Sequence, residues 1–167
     1  YPIVQPEYRE QTDGVSTYCL AEAISTELTG DDVVVSGSSG SGIELFLLAF
    51  QVKDGQRVLH SRGLGAMGFG LPASIGACIG AGRPRTICVE GDGSFHMNVQ
   101  ELEVIRRLGL PIKVFVINNN GYASIRSSQQ NYFQHLVGAD PSSGLTLPDI
   151  RKVAAAYGLP SRQIADQ

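Results

Sequence analysis

Two short turns carry the groups in this sequence best suited to hold a metal ion and an anion. The first is Gly91-Asp92-Gly93-Ser94, which follows the apolar run 86–89. A carboxylate between glycines at a strand end can bind a hard cation, and the glycines let backbone N–H groups approach an anion. The second is Asn118-Asn119-Asn120-Gly121, which follows the apolar run 112–117. An Asn side-chain carbonyl and a free main-chain carbonyl are good neutral oxygen ligands. Each turn alone is common, since Gly, Asn and Asp are ordinary turn residues. Together, Asp92, Asn119 and the carbonyl of Gly121 offer three oxygens on one face. Mg²⁺ asks for six in near-octahedral geometry and takes the remainder from phosphates and water.

The elements that must position these turns alternate between short apolar runs and helical stretches. Strands are expected at 32–35, 57–60, 86–89 and 112–117, and helices at 15–28, 43–50, 69–81, 98–107, 122–128 and 147–157. Pro72 falls near a first helical turn, and Gly109 and Gly158 stand just past two helix ends. Residues 1–14 read as a polar linker or arm, 15–167 as one domain, and 131–146 as loop. The strand runs read as largely apolar rather than alternating, as expected when helices cover both faces of a parallel sheet, so the fold class is α/β with a mostly parallel sheet. Ligands in such sheets sit beyond the carboxyl ends of the strands. The glycine-rich segments 36–42, 63–70, 91–93 and 118–121 should therefore converge on one edge.

Composition bounds the rest. The chain has 167 residues and a net charge of −3, with 43% hydrophobic and 17% charged residues, which describes a globular domain and excludes a disordered one. No dense Lys/Arg cluster marks a nucleic-acid binder. Residues 63–82 are uncharged over a membrane-spanning length, but seven of them are glycine, so a buried helix packed by small residues is expected and not a membrane span. Cys19, Cys78 and Cys88 lie in apolar stretches without metal-ligand spacing and read as buried, reduced thiols of a cytoplasmic protein. The chain begins at Tyr1 without a Met, and a piece of a longer polypeptide is expected.

Gly-Asp-Gly, then 24 residues, then Asn-Asn resembles the cofactor signature of thiamine-diphosphate-dependent enzymes. The stretch GDGSFHMNVQELEVIRRLGLPIKVFVINNNGY is similar to the acetolactate synthase and pyruvate decarboxylase group, and RGLGAMGFGLPASIGA to the acetolactate synthase counterpart. The resemblance spans roughly residues 15–165 and implies a three-layer α/β/α diphosphate-binding domain. It assigns Mg²⁺ to Asp92, Asn119 and the main-chain oxygen of Gly121. It assigns thiamine diphosphate to Gly40, Ser41, Gly42, Gly91, Gly93, Ser94 and Tyr122, with Met67 supporting the bent cofactor and Gly65 and Met67 meeting the aminopyrimidine through their backbone. The activating glutamate of the family belongs to a pyrimidine-binding domain of the same or a partner subunit. No motif for it occurs here: Glu22, Glu27 and Glu44 read as solvated or paired, so no catalytic residue is assigned. The implied reaction is decarboxylation of pyruvate or a similar 2-oxoacid and addition of the enamine to an acceptor carbonyl, in a homodimer or homotetramer. A simple 2-oxoacid decarboxylase is the nearest alternative.

Other readings come from other classes. Gly63-Leu64-Gly65-Ala66-Met67-Gly68 matches the G-x-G-x-x-G of NAD-binding domains, with Glu90 about 20 residues on for a ribose. That reading leaves the Asp92 and Asn119 turns unexplained. The 37–42 loop imitates a P-loop, but Ile43 stands where the lysine should be. A non-catalytic cofactor-binding domain would keep the same residues. His60, His96 and His135 are scattered. His96 could face a cofactor, though a structural role suits it better.

Overall fold

The computed structural model describes residues 2–37, 40–61 and 63–166, with Ser41 and Gly42 described by their backbone alone. The Ser38-Ser39 part of the 36–42 loop lies outside the described residues. Four strands form one parallel sheet: β1 (Val33–Ser36), β2 (Arg57–Leu59), β3 (Thr86–Gly91) and β4 (Ile112–Ile117), in the order β2-β1-β3-β4. This is the all-parallel α/β sheet expected from the largely apolar runs.

Helices cover both faces. On one side, α2 (Thr17–Glu27) and α3 (Ser41–Ala49) bring Ala21, Ile24, Ile43, Phe46 and Ala49 onto Val34, Ile87 and Val89. On the other, α4 (Gly70–Gly80) and α6 (Glu101–Leu108) bring Leu71, Ile75, Cys78, Leu102 and Ile105 onto Cys88, joined by α8 (Ile150–Ala156) through Val153. The two-residue period of a strand sends Ile87 and Val89 to one core and Cys88 to the other. Both sets are apolar because both faces are dry. Burial pushes the Cys88 thiol up, so it is a neutral packing group. Cys78 is also buried and Cys19 half-buried, and all three are free thiols.

Several boundaries differ from the sequence reading. Gly91-Asp92-Gly93-Ser94 is not a simple turn: Gly91 precedes a helical turn, α5 (Asp92–Phe95), which tightens into a 3₁₀ turn at His96–Asn98 before α6. The backbone at Phe95, His96, Val99 and Gln100 stays in the right-handed helical region, so the winding runs from Asp92 towards Leu108. The segment Ser41-Gly42 is the first turn of α3, not a loop. Helix α7 (Ala123–Phe133) runs past Ser128 to Gln134, where a left-handed residue ends it. Helix α8 starts at Ile150, not Leu147, because the Asp149 carboxylate accepts from the Arg151 and Lys152 amides. The segment 63–82 contains α4 of 11 residues, and no helix among the described residues is long and apolar enough to cross a membrane. Within 1–14, the short α1 (Pro6–Arg9) packs along α2: Tyr8 stacks on Tyr18 at 4.8 Å, and Arg9 pairs with Glu22 at 2.6 Å.

At the amino end of the sheet, Arg85 grips Asp32 with two nitrogens at 2.7 and 2.5 Å, and the Thr29 amide donates to the same carboxylate at 2.7 Å. The Arg85 guanidinium, against the opposing effect of burial, holds the Asp32 carboxyl below its ordinary range. Asp32 itself is nearly buried, so leaving it unpaired is costly. A depressed folded-state pKa gives stability that is present above the unfolded pKa and lost as pH falls through the folded one. Arg85→Ala should therefore cost about 1–3 kcal/mol near neutrality. The gap to wild type should close as pH drops below about 4. Denaturant unfolding at a series of pH values checks this, and a gap that stays constant into acid would contradict it.

Candidate functional site

The four glycine-rich segments meet at the carboxyl edge of the sheet. One cleft there is lined by Gly40, Met67, Gly91, Asp92, Gly93, Ser94, Asn119, Gly121 and Tyr122, with Ile43, Ile117 and Ala123–Ile125 completing the wall. Of the sequence-derived candidates, these nine are brought together. Gly65 sits two residues from Met67 with φ +59°, and its amide donates to the Ser61 carbonyl at 2.7 Å. Ser41 and Gly42 begin α3 directly after Gly40, so this helix opens towards the cleft, and a helix N-terminus favours an anion. The segment expected as a loop is thus a helix end.

Asp92 is 1% exposed, yet its carboxylate is well occupied. One oxygen accepts from the Gly93 amide and the other from the Gly121 amide, both at 2.9 Å. A carboxylate offers about four lone-pair sites, so two remain for a cation. The second bond ties the end of β3 to the turn after β4. That turn is shaped by its three asparagines. The Asn118 side chain accepts from the Asn120 amide at 3.2 Å, and Asn120 takes a left-handed conformation at φ +60°. Asn119 is left facing the cleft. Its side-chain oxygen is buried and has no hydrogen-bond partner, which costs free energy unless a ligand or ion completes it. A buried carboxylate, a buried orphan carbonyl oxygen and a nearby main-chain carbonyl make an all-oxygen donor set, which suits Mg²⁺.

Close approach, more than flexibility, explains two glycines here. A methyl group on Gly93 would fall 2.3 Å from the Tyr122 ring, and one on Gly121 would fall 2.3 Å from the Ala139 carbonyl oxygen. Gly121 also has φ +143°, a conformation other residues rarely adopt. Sequence reasoning missed the support behind this turn. The fully buried Ala139 accepts from the Tyr122 amide at 2.9 Å. Arg126 lies 3.7 Å from Asp140 and 3.5 Å from the Asn119 carbonyl oxygen. An alanine that contributes only its carbonyl leaves no side-chain signal to read.

Other candidates fall outside the cleft. His96 places Nε2 3.1 Å from the Pro148 carbonyl and packs edge-on to Phe95, a structural role. Glu90 is fully buried, its carboxylate wedged between Gly37 and Gly70, where an added methyl on either would come within 2.1 Å of it. A carboxylate enclosed in this way is not presented to a ribose, which removes the group that the dinucleotide reading requires. Met67 is half-buried, belongs to neither core and lines the cleft beside Asp92.

Comparison with known proteins gives the family. The family profile "Thiamine pyrophosphate enzyme, C-terminal TPP binding domain" matches residues 40–167. The acetolactate synthase isozyme 2 large subunit of Escherichia coli (strain K12) is 39% identical over 112 residues, covering 65% of this chain and 20% of that protein. The chloroplastic acetolactate synthase 1 of Nicotiana tabacum is 34% identical over 143 residues, covering 83% of this chain and 21% of that protein. The chain thus spans about a fifth of the length of these relatives. The solved thiamine diphosphate-dependent 4-hydroxybenzoylformate decarboxylase of Rhodococcus jostii RHA1 superposes with a TM-score of 0.76 at 23% identity, covering 92% of this chain and 28% of that one, which is a likeness of fold.

The contact of Gly93 with Tyr122 makes a direct prediction. Gly93→Ala should destabilise the fold by about 1–3 kcal/mol in denaturant unfolding, because the methyl group overpacks the site. Removing the ring with Tyr122→Ala in the same chain should recover much of that loss. An equal loss with and without the ring would show that Tyr122 is not the obstacle.

Proposed function

The chain belongs to the thiamine pyrophosphate enzymes, whose C-terminal cofactor-binding domain it forms, and from that premise we propose how it holds its cofactor and which reaction it serves. The cofactor is thiamine diphosphate, and Mg²⁺ is the family's usual companion metal. In this reading Asp92, Asn119 and the Gly121 carbonyl hold Mg²⁺. The first turn of α3 (Gly40, Ser41 and Gly42), with Gly91, Gly93, Ser94 and Tyr122, receives the diphosphate. Met67 and the Gly65 backbone support the ring end. The observation that carries it is the buried, partnerless Asn119 oxygen in the same cleft as the buried Asp92 carboxylate.

Bound thiamine diphosphate supplies a carbon nucleophile and an electron sink for 2-oxoacid decarboxylation. The residues of this chain bind and orient. Asp92 brings negative charge to the metal, and the helix-end amides face the phosphates. The apolar side chains of Ile43 and Ile117 line one side of the cleft and would limit water there. The relatives named as acetolactate synthases support pyruvate or a similar 2-oxoacid as donor and an acceptor carbonyl as partner. The catalytic glutamate then comes from a pyrimidine-binding domain of the same or a partner subunit, in a homodimer or homotetramer.

Calorimetric titration of the intact protein should show thiamine diphosphate binding with Mg²⁺, loss of binding in EDTA, and a loss of at least about a hundredfold for Asp92→Ala. Metal-independent binding, or NAD binding in its place, would contradict the proposal. Incubation with pyruvate should release CO₂ and form a new carbon–carbon bond. CO₂ with free aldehyde alone would assign a simple decarboxylase.

A further inference from the structure

The turn that carries Met67 is held by two side chains that the cofactor signature does not include among metal ligands. The Gly68 amide donates to the Ser94 hydroxyl at 2.7 Å, in a buried contact. The Asn98 side-chain amide donates to the Gly68 carbonyl at 2.8 Å. One residue of the turn is therefore gripped at both its N–H and its C=O. Gly68 has φ +81°, and a methyl group there would lie 2.7 Å from the Asn98 nitrogen and 3.1 Å from Met97 Cβ. At Gly68 the turn approaches the 3₁₀ segment His96–Asn98 too closely for a side chain there.

Ser94 and Asn98 are four residues apart on the winding that begins at Asp92, so both project from one side of it. The same short element thus carries three rulers. Asp92 fixes the Gly121 turn, and Ser94 and Asn98 fix the Gly68 turn. Met67, next to Gly68, lines the cleft that Asp92 floors.

We infer that Asn98, acting with Ser94 through the Gly68 peptide, is a positioning residue that sets the height of Met67 over the metal–diphosphate site. The inference rests on the cofactor placement proposed above. Asn98 touches no reacting atom. It acts on the ring end of thiamine diphosphate and not on the diphosphate end. The two ends can be probed separately, because Mg²⁺ with inorganic pyrophosphate reports on the metal and diphosphate end and not on the ring end.

The test uses the intact protein with Asn98→Asp, which keeps the shape, removes the donor and turns an oxygen towards the Gly68 carbonyl. Asn98→Ala, which adds no charge, serves as the second variant should the first lose its fold. Pyrophosphate affinity in Mg²⁺ should stay within about twofold of wild type. Thiamine diphosphate affinity should fall by roughly tenfold, the scale of one net hydrogen bond. Without cofactor, the amides of residues 65–69 should exchange hydrogen about tenfold faster than in wild type, while unfolding temperature changes little. Unchanged thiamine diphosphate affinity and unchanged exchange would overturn the inference alone. So would equal losses for both probes, which signal general damage. Wild-type protein that binds neither probe would overturn the cofactor placement and this inference with it.

Discussion

The carboxylate of Asp92 is the constraint on which the site depends. It is buried at the end of the central strand β3, where an isolated charge would be costly. Two backbone amides, from Gly93 and Gly121, meet it there. The first fixes the start of a helical turn and the second fixes the turn after the neighbouring strand. The Asp92–Gly121 bond therefore spans two elements that the sheet already holds in register, with Gly91 paired to Ile117. Sheet and side chain specify the same geometry twice, which would make the proposed cation site rigid before a cation arrives.

Close packing at the carboxyl edge follows from the same constraint. The enclosed Glu90 carboxylate fills the space between Gly37 and Gly70, so the end of β1 and the start of α4 close on β3 around it. The Tyr122 ring lies against Gly93, and the Ala139 carbonyl closes behind Gly121. These contacts leave little room for the turns to move independently. The Asn119 side-chain oxygen, a buried polar atom without a hydrogen-bond partner, belongs to a residue that lines this cleft.

Much of this was legible in the sequence because the relevant residues act through their own chemistry. Val33–Val35 is a continuous apolar run that is buried throughout, and Ile112–Ile117 is apolar apart from the exposed Lys113, so the strands were plain. Asp92, Asn119 and Gly121 declare themselves as a carboxylate, an amide and a backbone that only glycine can supply. The helical character of Asp92–Phe95 was hidden because Gly-Asp-Gly-Ser is also good turn chemistry. The extension of α7 through Asn131-Tyr132-Phe133 was hidden too. Its last residues are exposed, and no apolar periodicity marks them. Asn98 and Ala139 could not be found by motif. The one acts through a glycine 30 residues away and the other through a carbonyl every residue has.

The central claim is that the buried carboxylate, the orphan amide oxygen and the Gly121 carbonyl together form one metal site that presents a diphosphate. The direct measurement is a crystal structure of the intact protein with thiamine diphosphate and Mg²⁺. The account predicts an octahedral ion about 2.1 Å from an Asp92 oxygen, from the Asn119 side-chain oxygen and from the Gly121 carbonyl, with phosphate oxygens on its other side. An ion bound elsewhere, or a cofactor whose diphosphate lies away from this cleft while Asn119 stays without a partner, would contradict it.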